Sequence, residues 1–327
     1  MDNNDLTIQQ AANAYLDAMH LARSQNTTRT YGNALNIFLE SLRQHGVQPD
    51  ACQIIDFPQE ALIWLIGDLK AYAPGTERLY LQAVIGFFEF VSAESLAPVN
   101  LTRMRLLIRQ RARRPGQRLP QFPEEEIEKI LTYTQSLVAR PSDDRDEHWR
   151  NLRDRAFLLT LADTGLRVHE ACGLRRGDLD WNNGQALVIG KGNQEAVVRF
   201  SKRALAALKD YLAVRATLDG ASGKPLGSLP IFARHDRGTG NKIQMITTAT
   251  GRNIVKQVVR DAIGPQAIGT ITPHSFRHYF VTKILKGSGN LKLAQALARH
   301  KNISVTQRYA HLADDELDRG YWDIFEG

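Results

Sequence analysis

The chain has only two cysteines, Cys52 and Cys172, in 327 residues, which excludes a disulfide-stapled fold and fits a reducing, cytoplasmic compartment. It has no apolar run approaching the roughly 20 residues of a spanning helix. Its most continuous stretches, such as Ala61 to Ile66, are far shorter, and the amino terminus lacks a basic-then-apolar signal. Neither membrane insertion nor secretion is expected. Internal repeats and low-complexity tracts are missing too. What is present is 43% hydrophobic and 24% charged residues, enough for two globular domains, with 42 Lys+Arg against 35 Asp+Glu. The net charge of +7 points to a polyanionic partner, although the distribution of charge matters more than its total.

A local absence is more informative. Between Thr102 and Pro120 there is no acidic residue, while Arg103, Arg105, Arg109, Arg111, Arg113, Arg114 and Arg118 all fall there. An ordinary solvated helix face alternates its charges, so this run reads as a phosphate-binding hinge. Pro115, Gly116, Pro120 and Pro123 then break the chain, and Glu124, Glu125 and Glu126 suit the first turn of a new helix. The domain boundary is placed at residues 112–122.

The first hundred residues predict four amphipathic helices in a small bundle. Thr7 and Gln10 have capping-box spacing ahead of Ile8, Ala12, Tyr15, Leu16 and Met19. A second helix carries Tyr31, Leu35, Phe38, Leu39 and Leu42 and stops at Gly46. A third runs from Pro58 to Leu69, and a fourth follows Pro74-Gly75-Thr76 with Leu79, Val84, Phe87, Phe88 and Val91. Beyond Pro123, helices are predicted over 125–139 and 152–163, then strands over 185–189 and 196–200 around Gly190-Lys191-Gly192-Asn193, which has hairpin chemistry. Helices return over 202–218, 250–263, 275–286, 291–299 and 304–312. The fold class is mainly α, with a small antiparallel β-sheet in the second domain.

Residues able to do chemistry concentrate in that second domain. In Asp163-Thr164-Gly165-Leu166-Arg167-Val168-His169-Glu170 an arginine follows a Thr-Gly break, and Glu170 shares its helical face and can orient it. Alone, this is a capped helix with an ion pair. Lys191 at the hairpin tip is by itself a solubilising charge, yet beside a phosphodiester an ammonium can protonate a leaving oxygen. Thr272-Pro273-His274-Ser275-Phe276-Arg277-His278 opens a helix, with His274 and Arg277 on one face. His274 and His278 have the spacing of a metal pair. No cysteine has ligand spacing and no Glu follows His274 as in a metalloprotease helix, so no metal is expected. Further on come His300 and, nine residues later, Tyr309, with Thr306 three before it. Two guanidiniums, a lysine, two histidines and a tyrosine are what a metal-free phosphoryl transfer would use.

This ordered set resembles the tyrosine recombinase family, the phage-type integrases. The family's Thr-Gly-Leu-Arg-x-x-Glu is matched by Arg167 with Glu170, its hairpin Gly-Lys-Gly by Lys191, and its His-x-x-Arg by His274 with Arg277. Its later His is matched by His300, and its Thr-x-x-Tyr-x-His by Thr306, Tyr309 and His311. The resemblance covers about Leu119 to Leu312. Thr27-x-x-Thr30-Tyr31 in the helical amino-terminal part is similar to the family's core-binding domain. There are two departures. The family usually reads Leu-Gly-His where this chain has Leu297-Ala298-Arg299-His300, so Arg299 changes the turn or adds a phosphate contact. Many members follow the hairpin lysine with Lys-x-Arg where this chain has Gln194 and Ala196, which implies weaker DNA contact there.

The resemblance implies a two-domain DNA clamp: a core-binding domain at 1–111, a basic linker at 112–122, a catalytic domain at 123–312 and a tail at 313–327. It implies site-specific recombination of double-stranded DNA, for integration, excision or resolution, through a 3′-phosphotyrosyl bond on Tyr309, with no metal or other cofactor. Arg167 and Arg277 would grip the phosphate, Lys191 protonate the 5′ oxygen, His274 assist proton movement, His300 hydrogen-bond the phosphate and Glu170 support Arg167. The hinge arginines would contact the DNA backbone. The tail, with Leu317, Tyr321, Trp322, Ile324 and Phe325, would pack on its own domain or dock on a neighbouring subunit in a tetrameric synapse. A type IB topoisomerase and a DNA-binding regulator on a recombinase scaffold remain the alternatives.

Overall fold

The computed structural model describes residues 6–113, 124–139, 144–190, 195–236, 242–300 and 302–307. The chain divides into two compact units, Met1–Gln117 and Arg118–Gly327.

The first unit holds α1 (Ile8–Ala22), α2 (Gln25–Gln44), α3 (Ala61–Asp68), α4 (Pro74–Ala93) and α5 (Leu101–Arg111). The capping box forms as its spacing requires: Thr7 Oγ1 accepts from the Gln10 N–H, and Gln10 Oε1 accepts from the Thr7 N–H. α2 ends one residue before a Gly46 at φ +83°, the left-handed conformation that glycine adopts without strain. The core is aromatic at its centre, with Phe38, Phe87 and Phe88 fully buried and the Phe38 and Phe88 rings edge to face at 5.7 Å. The bundle has a fifth helix beyond the four expected. α5 forms inside the arginine run, where Met104, Leu107 and Ile108 pack onto the core at helical spacing.

The second unit holds α6 (Glu124–Ala139), α7 (Arg145–Thr164), α8 (Val168–Gly173), β1 (Leu179–Asp180), β2 (Gln185–Ile189), β3 (Glu195–Arg199), α9 (Lys202–Val214), α10 (Ala216–Gly220), α11 (Thr248–Ala262), α12 (Pro273–Ser288), α13 (Leu291–Ala298) and α14 (Ile303–Gln307). The molecule is thus mainly helical. Its sheet runs β1-β2-β3, all antiparallel, with β2 and β3 paired from Gln185↔Arg199 to Ile189↔Glu195. β1, only two residues long, adds a third strand to the expected pair. α7 runs through the middle of the core; Ala156, Phe157, Leu158, Leu159 and Leu161 are all enclosed, which its even hydrophobicity reflects.

One buried charge network fixes the segment before residue 237. Arg215, wholly enclosed, donates to both oxygens of Asp219, to the Tyr211 hydroxyl and to the carbonyls of Pro230 and Ile231. Tyr211 Oη lies 2.7 Å from His235 Nε2 and accepts from the Ala233 N–H. A buried arginine persists only with such full pairing. No helix among the described residues is long and apolar enough to cross a membrane.

Candidate active site

Three stretches far apart in sequence meet at one place. α7 ends in Gly165 at φ +61°, where a Cβ would fall 2.3 Å from the Phe280 ring of α12, so only glycine lets the two helices close there. The turn delivers Arg167 to the N-cap of α8. Its backbone N–H donates to Glu170 Oε2 at 2.8 Å and its Nη1 to Oε1 at 3.0 Å.

α12 starts as its sequence dictates, with Thr272 at the N-cap, Pro273 in the first turn and Ser275 Oγ accepting from the Thr272 N–H. Arg277, one turn in, is 2% exposed. It donates Nη1 to the Gly165 carbonyl and Nη2 to the Ala298 carbonyl, so one guanidinium joins the Arg167 turn to the end of α13. Among the described residues two of its five N–H groups are taken. His274 opens to solvent, its ring 4.2 Å from that of His278.

From α13 the chain turns through Arg299, at φ +56°, to His300. The His300 ring Nδ1 lies 2.9 Å from Thr306 Oγ1, and its carbonyl accepts from Gln295 Nε2. Arg299 Nη2 reaches Glu170 Oε2 at 2.9 Å. The pocket therefore collects three guanidiniums, Arg167, Arg277 and Arg299, around one enclosed carboxylate. Burial and that excess of positive charge together disfavour the protonated forms of the groups around it. Burial first, then Arg167 and Arg299, lower Arg277 to about 10. Burial, followed by Arg277, Arg167, His274 and Arg299, lowers His300 to about 4. His274 is lowered by partial burial, Arg277 and Arg167, while hydrogen bonds and the two arginines hold Glu170 low against its burial. Such a balance of charge suits the pocket to receive an anion.

Lys191 and Tyr309, the expected proton donor and nucleophile, lie outside the described residues, as do Arg114, Arg118 and the tail over 313–327. The structure brings together the other four, Arg167, His274, Arg277 and His300, with Glu170. Among the described residues no group of three or more His, Cys, Asp or Glu is placed to hold a metal. Sequence reading missed a basic cleft beside His274, lined by Arg252, Asn253 and Lys256 of α11. Those side chains had the pattern of a plain solvated face. It also missed the Arg299 contact, although the departure from glycine at 299 marked the position.

The hinge arginines have unequal surroundings. Arg113 donates to Glu77, whose side chain is wholly enclosed, and to the carbonyls of Leu69 and Tyr72, with Lys70 on the other side of Glu77. Arg103 donates to Gln59, and Arg105 pairs with Glu89 at 2.5 Å. Arg109 and Arg111 are exposed and form no ion pair among the described residues. Replacing Arg109 and Arg111 with Ala should lower the slope of log affinity against log salt by about 0.9 for each phosphate left without its arginine. Arg113→Ala should instead cost on the order of 2 kcal/mol in stability, less than a fully broken buried pair because Lys70 remains. Salt-dependent DNA titration and thermal unfolding of both variants check this pairing of effects; a reversed pattern would contradict it.

Two histidines also set the acid stability. His235, lowered to about 3 by burial and three arginines, and His300, at about 4, take protons at ordinary pH only when unfolded. Between about pH 6.5 and those values the unfolded chain binds more protons, so stability falls with pH by about 1.4 kcal/mol per unit for each ring. The thermal midpoint should drop from pH 7 to pH 5 and stay level above 7. A flat midpoint through that window would show that the rings are not held neutral.

Comparison with known proteins shows the family. The profile of the phage integrase family matches residues 121–316, so the chain belongs to the phage integrase family, the tyrosine recombinases. It is 30% identical over 299 residues to the tyrosine recombinase XerC of Bacillus pumilus, covering 90% of this chain and 88% of the relative. With the tyrosine recombinase XerC of Thermodesulfovibrio yellowstonii it shares 29% identity, over 88% of this chain and 86% of the relative. Among solved structures it is similar in fold to the XerH site-specific recombinase bound to its palindromic difH substrate, with a TM-score of 0.69 and 19% identity over 99% of this chain and 86% of that one. The topoisomerase and regulator alternatives are not favoured.

Proposed function

We propose that the protein recombines double-stranded DNA at specific sites by way of a 3′-phosphotyrosyl intermediate on Tyr309. The convergence of Arg167, Arg277 and His300 in one positively charged cluster carries this reading. Arg167 and Arg277 would bind the non-bridging oxygens of the scissile phosphate and neutralise the charge that develops in the transition state, work that other phosphoryl-transfer enzymes give to a divalent metal. His300 Nδ1 lies 2.9 Å from the Thr306 hydroxyl, and in the tautomer in which that hydroxyl donates to Nδ1 the neutral ring would carry its proton on Nε2 and offer it to a phosphate oxygen.

A free phenol titrates near 10, so Tyr309 would attack the phosphorus as its proton leaves, with His274 assisting that transfer. The bond from phosphorus to the 5′ oxygen breaks, and that oxygen takes a proton from Lys191. The 5′ hydroxyl of a second duplex then attacks the phosphotyrosine, so rejoining needs no external energy source. Arg109 and Arg111 of one unit, and Arg252 and Lys256 of the other, would contact the DNA backbone in a two-domain clamp. The tail over 313–327 docks on a neighbouring copy in a tetrameric synapse, and the reaction belongs in the cytoplasm, where both cysteines stay thiols.

Lys191 gives a chemical test of this step. Lys191→Ala should cleave a normal phosphodiester slowly and recover most of its rate on a duplex with a 5′-bridging sulfur, a leaving group that needs no proton. Equal defects on both substrates would make Lys191 a binding residue.

A further inference from the structure

The Glu170 carboxylate has no exposed surface and is shared by two guanidiniums. Its Oε1 accepts from Arg167 Nη1 at 3.0 Å. Its Oε2 accepts from the Arg167 backbone N–H at 2.8 Å and from Arg299 Nη2 at 2.9 Å. Arg299 makes this reach under strain: its backbone lies at φ 56° and ψ 44°, left-handed values that glycine takes freely and arginine rarely does, and its Nε is buried with no partner among the described residues. The same turn is fastened from the other side, where Arg277 donates to the carbonyl of Ala298.

An arginine beside an otherwise unoccupied carboxylate closes on it with two parallel N–H···O bonds. Arg167 does not. It holds Glu170 by one side-chain nitrogen, while Arg299 shares the second oxygen with the Arg167 backbone N–H, and the Arg167 side chain remains 42% exposed. We propose that Arg299 is a positioning residue: by occupying Glu170 Oε2 it keeps Arg167 from closing on Glu170 and leaves the other edge of the Arg167 guanidinium for the scissile phosphate. The inference rests on the reading of Arg167 as a phosphate ligand. It also gives the departure from the family's Leu-Gly-His a use, since a glycine at 299 would leave Oε2 to Arg167.

The test is a double-mutant cycle on the full-length protein with inorganic sulfate as the probe, read by calorimetry. Arg299→Gly suits the left-handed backbone, and Arg299→Asn, which also tolerates it, guards against a folding artefact. Each should weaken sulfate about tenfold, and Arg299→Lys, which keeps an ion pair to Oε2, should recover part of that loss. In a Glu170→Gln background there is no carboxylate for Arg167 to close on, so Arg299→Gly should change sulfate affinity by less than about twofold. Equal losses in both backgrounds would make Arg299 an independent contributor of charge and overturn the inference. So would no loss, or no sulfate binding by the unaltered protein. Covalent capture of nicked genomic duplexes by the unaltered protein is scored in parallel. Failure there, with the sulfate cycle as expected, would count against the recombinase chemistry and leave the Arg299 assignment standing.

Discussion

Tyr309→Phe is expected to retain full DNA affinity and to form no covalent complex with DNA. The loss should be at least on the order of 10⁴-fold, because removing a nucleophile removes the step, whereas removing a group that only stabilises charge slows it. Binding should survive because the proposed phosphate contacts come from arginines and lysines of both units, none of which needs the phenol oxygen. The measurement is a detergent-resistant protein–DNA adduct on a nicked duplex, which traps the intermediate by letting the cleaved end diffuse away. An adduct formed by the phenylalanine variant would move the nucleophile elsewhere.

Arg277→Ala should lower the single-turnover cleavage rate by about 10³ to 10⁵, the range seen when a charge-stabilising arginine is removed from phosphoryl transfer. It should also destabilise the catalytic unit. The carbonyls of Gly165 and Ala298 both lose their donor inside the protein, at about 1–3 kcal/mol for each group left unsatisfied. The two losses separate in Arg277→Lys, where an ammonium can serve one carbonyl but cannot span both and still present a planar fork. That variant should regain part of the thermal stability and little of the rate. A rate within tenfold of the unaltered protein for either variant would show that Arg277 is a structural clamp and that the phosphate is held by other groups.

Much of this architecture was legible in the residues, for identifiable reasons. The Thr7 to Gln10 box, the Gly46 stop and the Pro273 helix start each have one dominant local solution, and the backbone adopts it; β2 and β3 pair antiparallel, as the hairpin pattern requires. α7 was harder to delimit. It begins at Arg145, before its apolar positions start, because polar residues fill its first turns and the Asp144 side chain at the N-cap accepts from the Asp146 N–H. α5 was hidden because the apolar positions that pack it are interleaved with four arginines. β1 is too short to show any alternation.

In the candidate site, Arg167, His274, Arg277 and His300 carry a motif that survives reading in one dimension. Their neighbours do not. Glu77 under Arg113, the Arg215, Asp219 and His235 network, and the Arg299 contact to Glu170 span gaps of 36, 4 to 24, and 129 residues respectively. Pairings of that kind depend on which charges the fold encloses together, and composition gives no sign of them.

The most direct test of the recombinase chemistry is the identity of the residue that carries the DNA. The protein is incubated with duplexes drawn from the genomic DNA flanking its gene, each nicked to trap cleavage, and the adduct is digested and read by mass spectrometry together with the sequence at the junction. The expected product is a single 3′-linked nucleotide on the peptide containing Tyr309, at one defined sequence, with a free 5′ hydroxyl opposite. A nucleotide on another residue, a 5′ linkage, or cleavage that leaves no covalent adduct would contradict it.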